Sequence, residues 1–136
     1  VAKQVDAWGV HVGLQDMPVA AVRAIVGDAM TIGGTANTFE DVRQRTLEGV
    51  DYIGLGPYRF TTTKQKLSPV LGLAGYQRIL DMARTAGITI PVVAIGGITP
   101  NDVPALLQAG VSSVAMSGAI THAGDRRKVV SQLMQQ

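Results

Sequence analysis

Apolar residues along the chain alternate between two rhythms. Five short, nearly unbroken runs are rich in β-branched residues: Trp8–Val12, Ala29–Ile32, Tyr52–Leu55, Val92–Ile95 and Ser113–Met116. Each is too short for a helix, and strands buried on both faces of a parallel sheet have this character. Between the runs, apolar positions recur at helical spacing. Val19, Val22 and Val26 end at Gly27, and Phe39, Val42 and Val50 follow a Thr38/Asp41 capping-box pattern. Tyr76, Ile79, Leu80 and Ala83 fall at i, i+3, i+4, i+7 ahead of Gly87. Val103, Leu106, Leu107 and Gly110 repeat that spacing after Thr99-Pro100-Asn101-Asp102, with Pro104 tolerated in the first turn. Val130, Leu133 and Met134 predict a last helix over Asp125–Gln136.

Strand and helix therefore alternate. Strand centres recur about every 20 residues, with one doubled interval that holds a long loop, and regular βα units repeat at about this length. An open doubly wound sheet and a (β/α)8 barrel both produce this order. All five strands run into glycine or small polar residues: Gly13, Gly33-Gly34, Gly56, Gly96-Gly97 and Ser117-Gly118. Equal decoration of every strand end favours the barrel, in which function gathers on the loops after the strands. Residues 1–136 are expected to form one partial TIM-barrel domain, an α/β fold containing only the last five βα units. The chain opens on Val1, so three strands, about 60–80 residues by the barrel repeat, are expected ahead of it. Two open sheet edges would then leave the isolated chain inactive or poorly folded.

Composition narrows the function. With 46% hydrophobic residues over 136 positions, one core can be buried. Twelve Lys+Arg against 10 Asp+Glu leave a net charge of only +2, scattered rather than striped, which argues against nucleic acid as a partner. The absence of cysteine excludes disulfides, a thiol nucleophile and thiolate metal sites. No apolar run approaches the roughly 20 residues that cross a bilayer, so no membrane partner is expected and a cytoplasmic location is the default. Oligomers remain open.

Candidate chemistry lies in the strand-end loops. Ala94-Ile95-Gly96-Gly97-Ile98 and Ala115-Met116-Ser117-Gly118-Ala119 are glycine-rich, so their backbone N–H groups can approach an anion closely; glycine also simply tightens turns. In Gly56-Pro57-Tyr58-Arg59-Phe60-Thr61-Thr62-Thr63-Lys64, hydroxyls and an ammonium suit phosphate oxygens. Arg59 and Lys66 are weaker candidates for the same role, with plain surface charge as the alternative. Asp16 either supplies one ligand of Mg²⁺ or caps the helix that begins near Pro18. His11 can face either side of its strand, and His122 has no evident partner; histidines of this kind are more often packing or surface residues. No zinc spacing, Ser-His-Asp arrangement or dinucleotide fingerprint is present.

Taken together, Gly9-Val10-His11-Val12-Gly13 with Asp16, Asp51-Tyr52-Ile53-Gly54-Leu55-Gly56-Pro57, Thr61-Thr62-Thr63-Lys64 and Pro91-Val92-Val93-Ala94-Ile95-Gly96-Gly97-Ile98 resemble the thiamine-phosphate synthases, in register over nearly the whole chain. The resemblance implies a (β/α)8 barrel that joins hydroxymethylpyrimidine diphosphate to a thiazole phosphate, giving thiamine phosphate and pyrophosphate with Mg²⁺ as cofactor. It also implies roles. Asp16 matches the Mg²⁺-binding aspartate, and Thr35 replaces a serine that contacts the pyrimidine. Lys64 matches the lysine on the diphosphate side. Thr61 and Thr63 match thiazole-phosphate contacts, joined by Gly97, Ser117 and Gly118. Lys64 and Thr35 are thus the implied catalytic pair. Charge developing on a leaving diphosphate would be stabilised by the cation and the lysine, with no protein nucleophile needed.

Several positions depart from the family pattern. Leu14-Gln15 stands for the usual Gln-Glu, Phe60 for a frequent proline, and Asn37 for a histidine carried by many members. The related thiazole tautomerases share the barrel and use a histidine for proton transfer, which Thr35-Ala36-Asn37 lacks. A non-catalytic binder of phosphorylated ligands is the rival of a different class, since a fold alone does not establish activity.

Overall fold

The computed structural model describes residues 9–14, 16–59 and 69–116. Along these residues run β1 (Gly9–Val12), α1 (Val19–Val26), β2 (Thr31–Ala36), α2 (Phe39–Glu48), β3 (Tyr52–Leu55), α3 (Gly72–Thr85), β4 (Val92–Ala94), a 3₁₀ turn (Pro100–Asp102), α4 (Val103–Ala109) and β5 (Ser113–Val114). The helix expected over Asp125–Gln136 lies outside them.

Local chemistry explains the helix ends. Thr38 Oγ1 accepts from the Asp41 N–H at 3.1 Å, while Asp41 Oδ2 accepts from the Thr38 N–H at 3.1 Å, so α2 starts with the expected reciprocal cap. Gly49, at φ +80°, ends it. At the 3₁₀ turn Asp102 Oδ2 accepts from the Thr99 N–H at 2.8 Å and from the Thr99 hydroxyl at 2.9 Å, while the Asp102 N–H donates to the Thr99 carbonyl at 3.0 Å; Pro104 sits in the first turn of α4. The apolar face of α3 is the predicted one, with Tyr76, Ile79, Leu80 and Ala83 all buried.

The five strands are parallel and ordered β1-β2-β3-β4-β5. Strand order never reverses, which a doubly wound sheet requires and a barrel avoids. Register partners share a face. Val12, Ile32, Ala36, Ile53, Leu55, Val92 and Ala94 are buried in one core with Val42 of α2, Tyr76 of α3 and Leu106 of α4. Complete burial of a side chain such as Ile53 or Leu55 contributes about 1.5–3 kcal/mol. The opposite face carries His11, Thr35, Tyr52 and Ser113.

Three details differ from expectation. β2 does not stop at Ile32 but continues to Ala36. Its glycines make room rather than a turn: a Cβ on Gly33 would lie 1.9 Å from Tyr52 Cζ, and one on Gly34 would lie 2.8 Å from Arg45 Cδ. Val50 falls beyond α2, after the Gly49 stop, yet is still buried. Leu107 is exposed, and Ala109 fills the core position instead.

Candidate functional site at the strand ends

The β1 end turns back on itself. Asp16 Oδ2 accepts from the Gly13 N–H at 2.7 Å, and the Asp16 N–H reaches the Gly13 carbonyl at 3.3 Å. A Cβ on Gly13 would come within 2.8 Å of that carboxylate oxygen, so glycine permits the approach. Asp16 does not cap α1, whose N-cap is Pro18 with no side-chain hydrogen bond. Its side chain is exposed, and Oδ1 has no hydrogen-bond partner among the described residues.

Thr35 lies within β2 rather than in a loop, on the sheet face opposite the helices. Its Oγ1 is 2.8 Å from His11 Nε2, and His11 Nδ1 is 3.0 Å from the Tyr52 hydroxyl. Register places Gly33 between His11 and Tyr52 and sets His11 on the side of Thr35, which periodicity alone left open. Burial pushes the Tyr52 phenol above its ordinary value, so it remains a protonated partner of the imidazole.

Arg45 supports this end from below. Although charged, it is buried; Nε donates to the Thr35 carbonyl at 2.9 Å and Nη2 to the Gly13 carbonyl at 2.9 Å. Asn37 is also buried, and its amide donates to the Gly56 and Pro69 carbonyls at 2.9 and 2.8 Å.

The loops after β3 and β4 interlock. The Tyr58 N–H donates to the carbonyls of Ile95 and Gly96, each at 3.0 Å, and the Arg59 N–H also reaches the Gly96 carbonyl at 3.0 Å. The buried Tyr76 hydroxyl donates to the Leu55 carbonyl beneath them, and burial raises its phenol well above the ordinary value. Gly96 and Gly97 take φ of +87° and +72°, as only glycine does readily. The Arg59 guanidinium, a weaker phosphate candidate or a surface charge by sequence, donates to the Gly97 carbonyl at 2.7 Å and forks onto Asp102 at 2.8 and 3.1 Å. It also lies 5.0 Å from the centroid of the Tyr58 ring.

Asp102 is held down to about 2, first by its hydrogen bonds from Arg59 and then by those from Thr99. Asp51, at the other end of the sheet, is also lowered, chiefly by the Ile32 N–H and further by Arg23. A carboxyl depressed on folding contributes stability above its unfolded value, and loses that contribution as pH falls through the folded one. Stability to urea should therefore stay level from pH 7 to 5 and fall as pH drops from about 4 toward 2. For Asp102 the loss is on the order of 2 kcal/mol, and Asp102→Asn should flatten that part of the fall.

Of the expected site residues, Asp16, Thr35 and Gly97 all lie at or beyond the C-terminal halves of parallel strands, on one rim of the sheet. Thr61, Thr63, Lys64, Ser117 and Gly118 lie outside the described residues, as does His122. No cluster of three or more His, Cys, Asp or Glu suited to a metal occurs among the described residues. Asp16 nevertheless fits one position of an ion such as Mg²⁺, which takes one or two carboxylates and completes its shell with water and substrate phosphate. A groove of about 540 Å³ between α2 and α3 is lined by Thr38, Glu40, Val70, Arg78 and Met82 among others.

A parallel sheet in unbroken sequential order, with polar side chains and glycine loops gathered at its strand ends, defines a protein of the (β/α)-barrel type. The family model described as thiamine monophosphate synthase matches residues 1–120, and the chain belongs to that family. It is 56% identical over 125 residues to the thiamine-phosphate synthase of Bacteroides fragilis, covering 92% of this chain and 61% of that protein. Against the Flavobacterium johnsoniae thiamine-phosphate synthase it is 49% identical over 133 residues, covering 98% of this chain and 63% of the relative. Among solved structures, thiamine phosphate pyrophosphorylase from Pyrococcus furiosus superimposes with a TM-score of 0.82 at 34% identity, over 98% of this chain and 61% of that one. A 3-hexulose-6-phosphate synthase, at TM-score 0.70 and 17% identity over 97% of this chain and 63% of that one, shares the fold. The chain thus spans about three fifths of the length of the curated relatives it matches. Among the described residues, no helix is long and apolar enough to cross a membrane.

Proposed function

We propose that the protein is a thiamine-phosphate synthase: it joins hydroxymethylpyrimidine diphosphate to thiazole phosphate and releases pyrophosphate. The observation that carries this reading is the shared rim. An exposed carboxylate (Asp16), a hydroxyl held by an imidazole (Thr35 with His11) and the glycine loop Gly96-Gly97 all stand at the C-terminal ends of one parallel sheet. Such a rim suits two small phosphorylated molecules brought edge to edge, and orientation of this kind lowers the barrier to their union.

In the proposed reaction the methylene–oxygen bond of the pyrimidine substrate breaks, and its electron pair leaves with the diphosphate. The thiazole nitrogen then donates its lone pair to that carbon. Asp16 would hold Mg²⁺, which neutralises charge on the diphosphate when bound. Lys64 would add its ammonium on the same side. Thr35 would meet the pyrimidine, while Thr61, Thr63, Gly97, Ser117 and Gly118 would receive the thiazole phosphate. The partners are thus small molecules, and the reaction belongs in the cytoplasm.

The tautomerase alternative is weaker here. The amide of Asn37, where a proton-carrying histidine would be needed, donates both its hydrogens to the backbone carbonyls of Gly56 and Pro69. A coupled pyrophosphate assay on the whole protein separates the readings. Release only when both substrates and Mg²⁺ are present supports the synthase. Turnover of the thiazole phosphate alone would favour the tautomerase, and binding without turnover a non-catalytic role.

A further inference from the structure

We infer that Arg59 is a positioning residue that aims the amides of the Gly96–Ile98 loop at the phosphate of the bound thiazole substrate; the identity of that substrate rests on the proposed synthase reading. A trans peptide points its C=O and its N–H in opposite directions. The Ile95 and Gly96 carbonyls are occupied by the backbone N–H groups of Tyr58 and Arg59, and the Gly97 carbonyl by Arg59 Nη1. Three successive peptides thus have their carbonyls held on the Tyr58–Arg59 side. Their partners in the same peptide planes, the N–H groups of Gly96, Gly97 and Ile98, face the other way.

None of those N–H groups meets an acceptor among the described residues. Ile98 is only 3% exposed, and a buried backbone N–H without an acceptor is uncommon in a folded protein. Successive N–H groups pointing the same way form a concave site for an anion. The first two carbonyls are held by main chain, which any sequence could supply. The third depends on one side chain.

The guanidinium is well suited to that task. Its fork is fixed by Asp102 at 2.8 and 3.1 Å, and Asp102 is itself anchored by the Thr99 N–H at 2.8 Å and the Thr99 hydroxyl at 2.9 Å. The Thr99–Asp102 cap therefore anchors the arginine, and the arginine anchors Gly97. The two loops also pack backbone against backbone: a Cβ on Gly97 would lie 2.8 Å from the Arg59 carbonyl oxygen, and one on Gly96 2.7 Å from Pro57 Cα. Arg59 itself faces Asp102 and the Gly97 carbonyl, so its charge is engaged there and its role is orientation.

Inorganic phosphate titrated into the whole isotopically labelled protein, followed at the Gly97 and Ile98 amide resonances, tests this directly. Those resonances should shift on phosphate addition. Arg59→Met and Asp102→Asn should weaken the response about 10-fold or more, with Arg59→Lys intermediate because one ammonium cannot reproduce the fork. In the synthase assay Arg59→Met should raise KM for thiazole phosphate by a similar factor and change kcat by less than about two-fold. Unchanged phosphate affinity in folded Arg59→Met overturns the inference; if that variant does not fold, unchanged affinity in Arg59→Lys and Asp102→Asn does so. Loop amides that ignore phosphate in the unmodified protein also overturn it, even if pyrophosphate is released. Amides that respond as described in a protein releasing no pyrophosphate support the positioning role and count against the synthase reading.

Discussion

Asp16→Asn is expected to lower pyrophosphate release by about 10²–10³-fold, the usual effect of removing one group that stabilises developing charge. The substitution is deliberately small. Asparagine retains an oxygen that can accept from the Gly13 N–H, which the carboxylate now receives at 2.7 Å, so the turn after β1 should survive. What is lost is the negative charge available to a divalent ion. The remaining activity should need a higher Mg²⁺ concentration, and the thermal midpoint should barely move. Steady-state kinetics against Mg²⁺, paired with a melting curve, check both. A variant as active as the unmodified protein would remove Asp16 from the proposed mechanism.

Arg45→Met should have the largest effect on stability. The arginine is buried, and its guanidinium is shared between the Thr35 and Gly13 carbonyls, with Glu48 as a counter-charge at 3.6 Å. Methionine fills the space but leaves those carbonyls and Glu48 without their partner. Losing one member of a buried charged network costs about 3–5 kcal/mol, or a fall in thermal midpoint of roughly 10 °C or more. Arg45→Lys should recover only part, since an ammonium cannot span both strands as the planar fork does. Because these carbonyls belong to residues at the ends of β1 and β2, surviving Arg45→Met protein should also bind substrate poorly. Calorimetry and KM measured well below the lowered midpoint separate the two effects.

How much could be read from the sequence depended on how local the cause was. The caps formed by Thr38 with Asp41 and by Thr99 with Asp102 are complete within four residues, so their motifs were enough. The buried face of α3 followed from spacing alone. The end of β2 does not, because Gly33 and Gly34 look like turn residues until Tyr52 is seen packed over Gly33 on one face and Arg45 over Gly34 on the other. The role of Arg59 is hidden for the same reason: its acceptors on Gly97 and Asp102 are 38 and 43 positions away. By resemblance Asn37 takes the place of a histidine, whereas its bonds to Gly56 and Pro69 show a residue tying two loops together. The pairing of His11 with Thr35 needed strand register, which periodicity alone does not supply. One signal for Arg59 does lie in the sequence: it follows a buried strand and shares the segment Gly56–Lys64 with the candidate phosphate-binding residues, and segments that connect rigid elements often carry function.

Both phosphorylated ligands of the proposed reaction should be gripped at the C-terminal rim of the sheet. A crystal structure of the whole protein with thiazole phosphate, Mg²⁺ and pyrophosphate tests it most directly. The thiazole phosphate is expected on the Gly97 and Ile98 N–H groups and the metal on Asp16, at the same end of the strands. A phosphate bound instead beside Arg23 and Asp51 at the opposite end, or in the groove between α2 and α3, would contradict it.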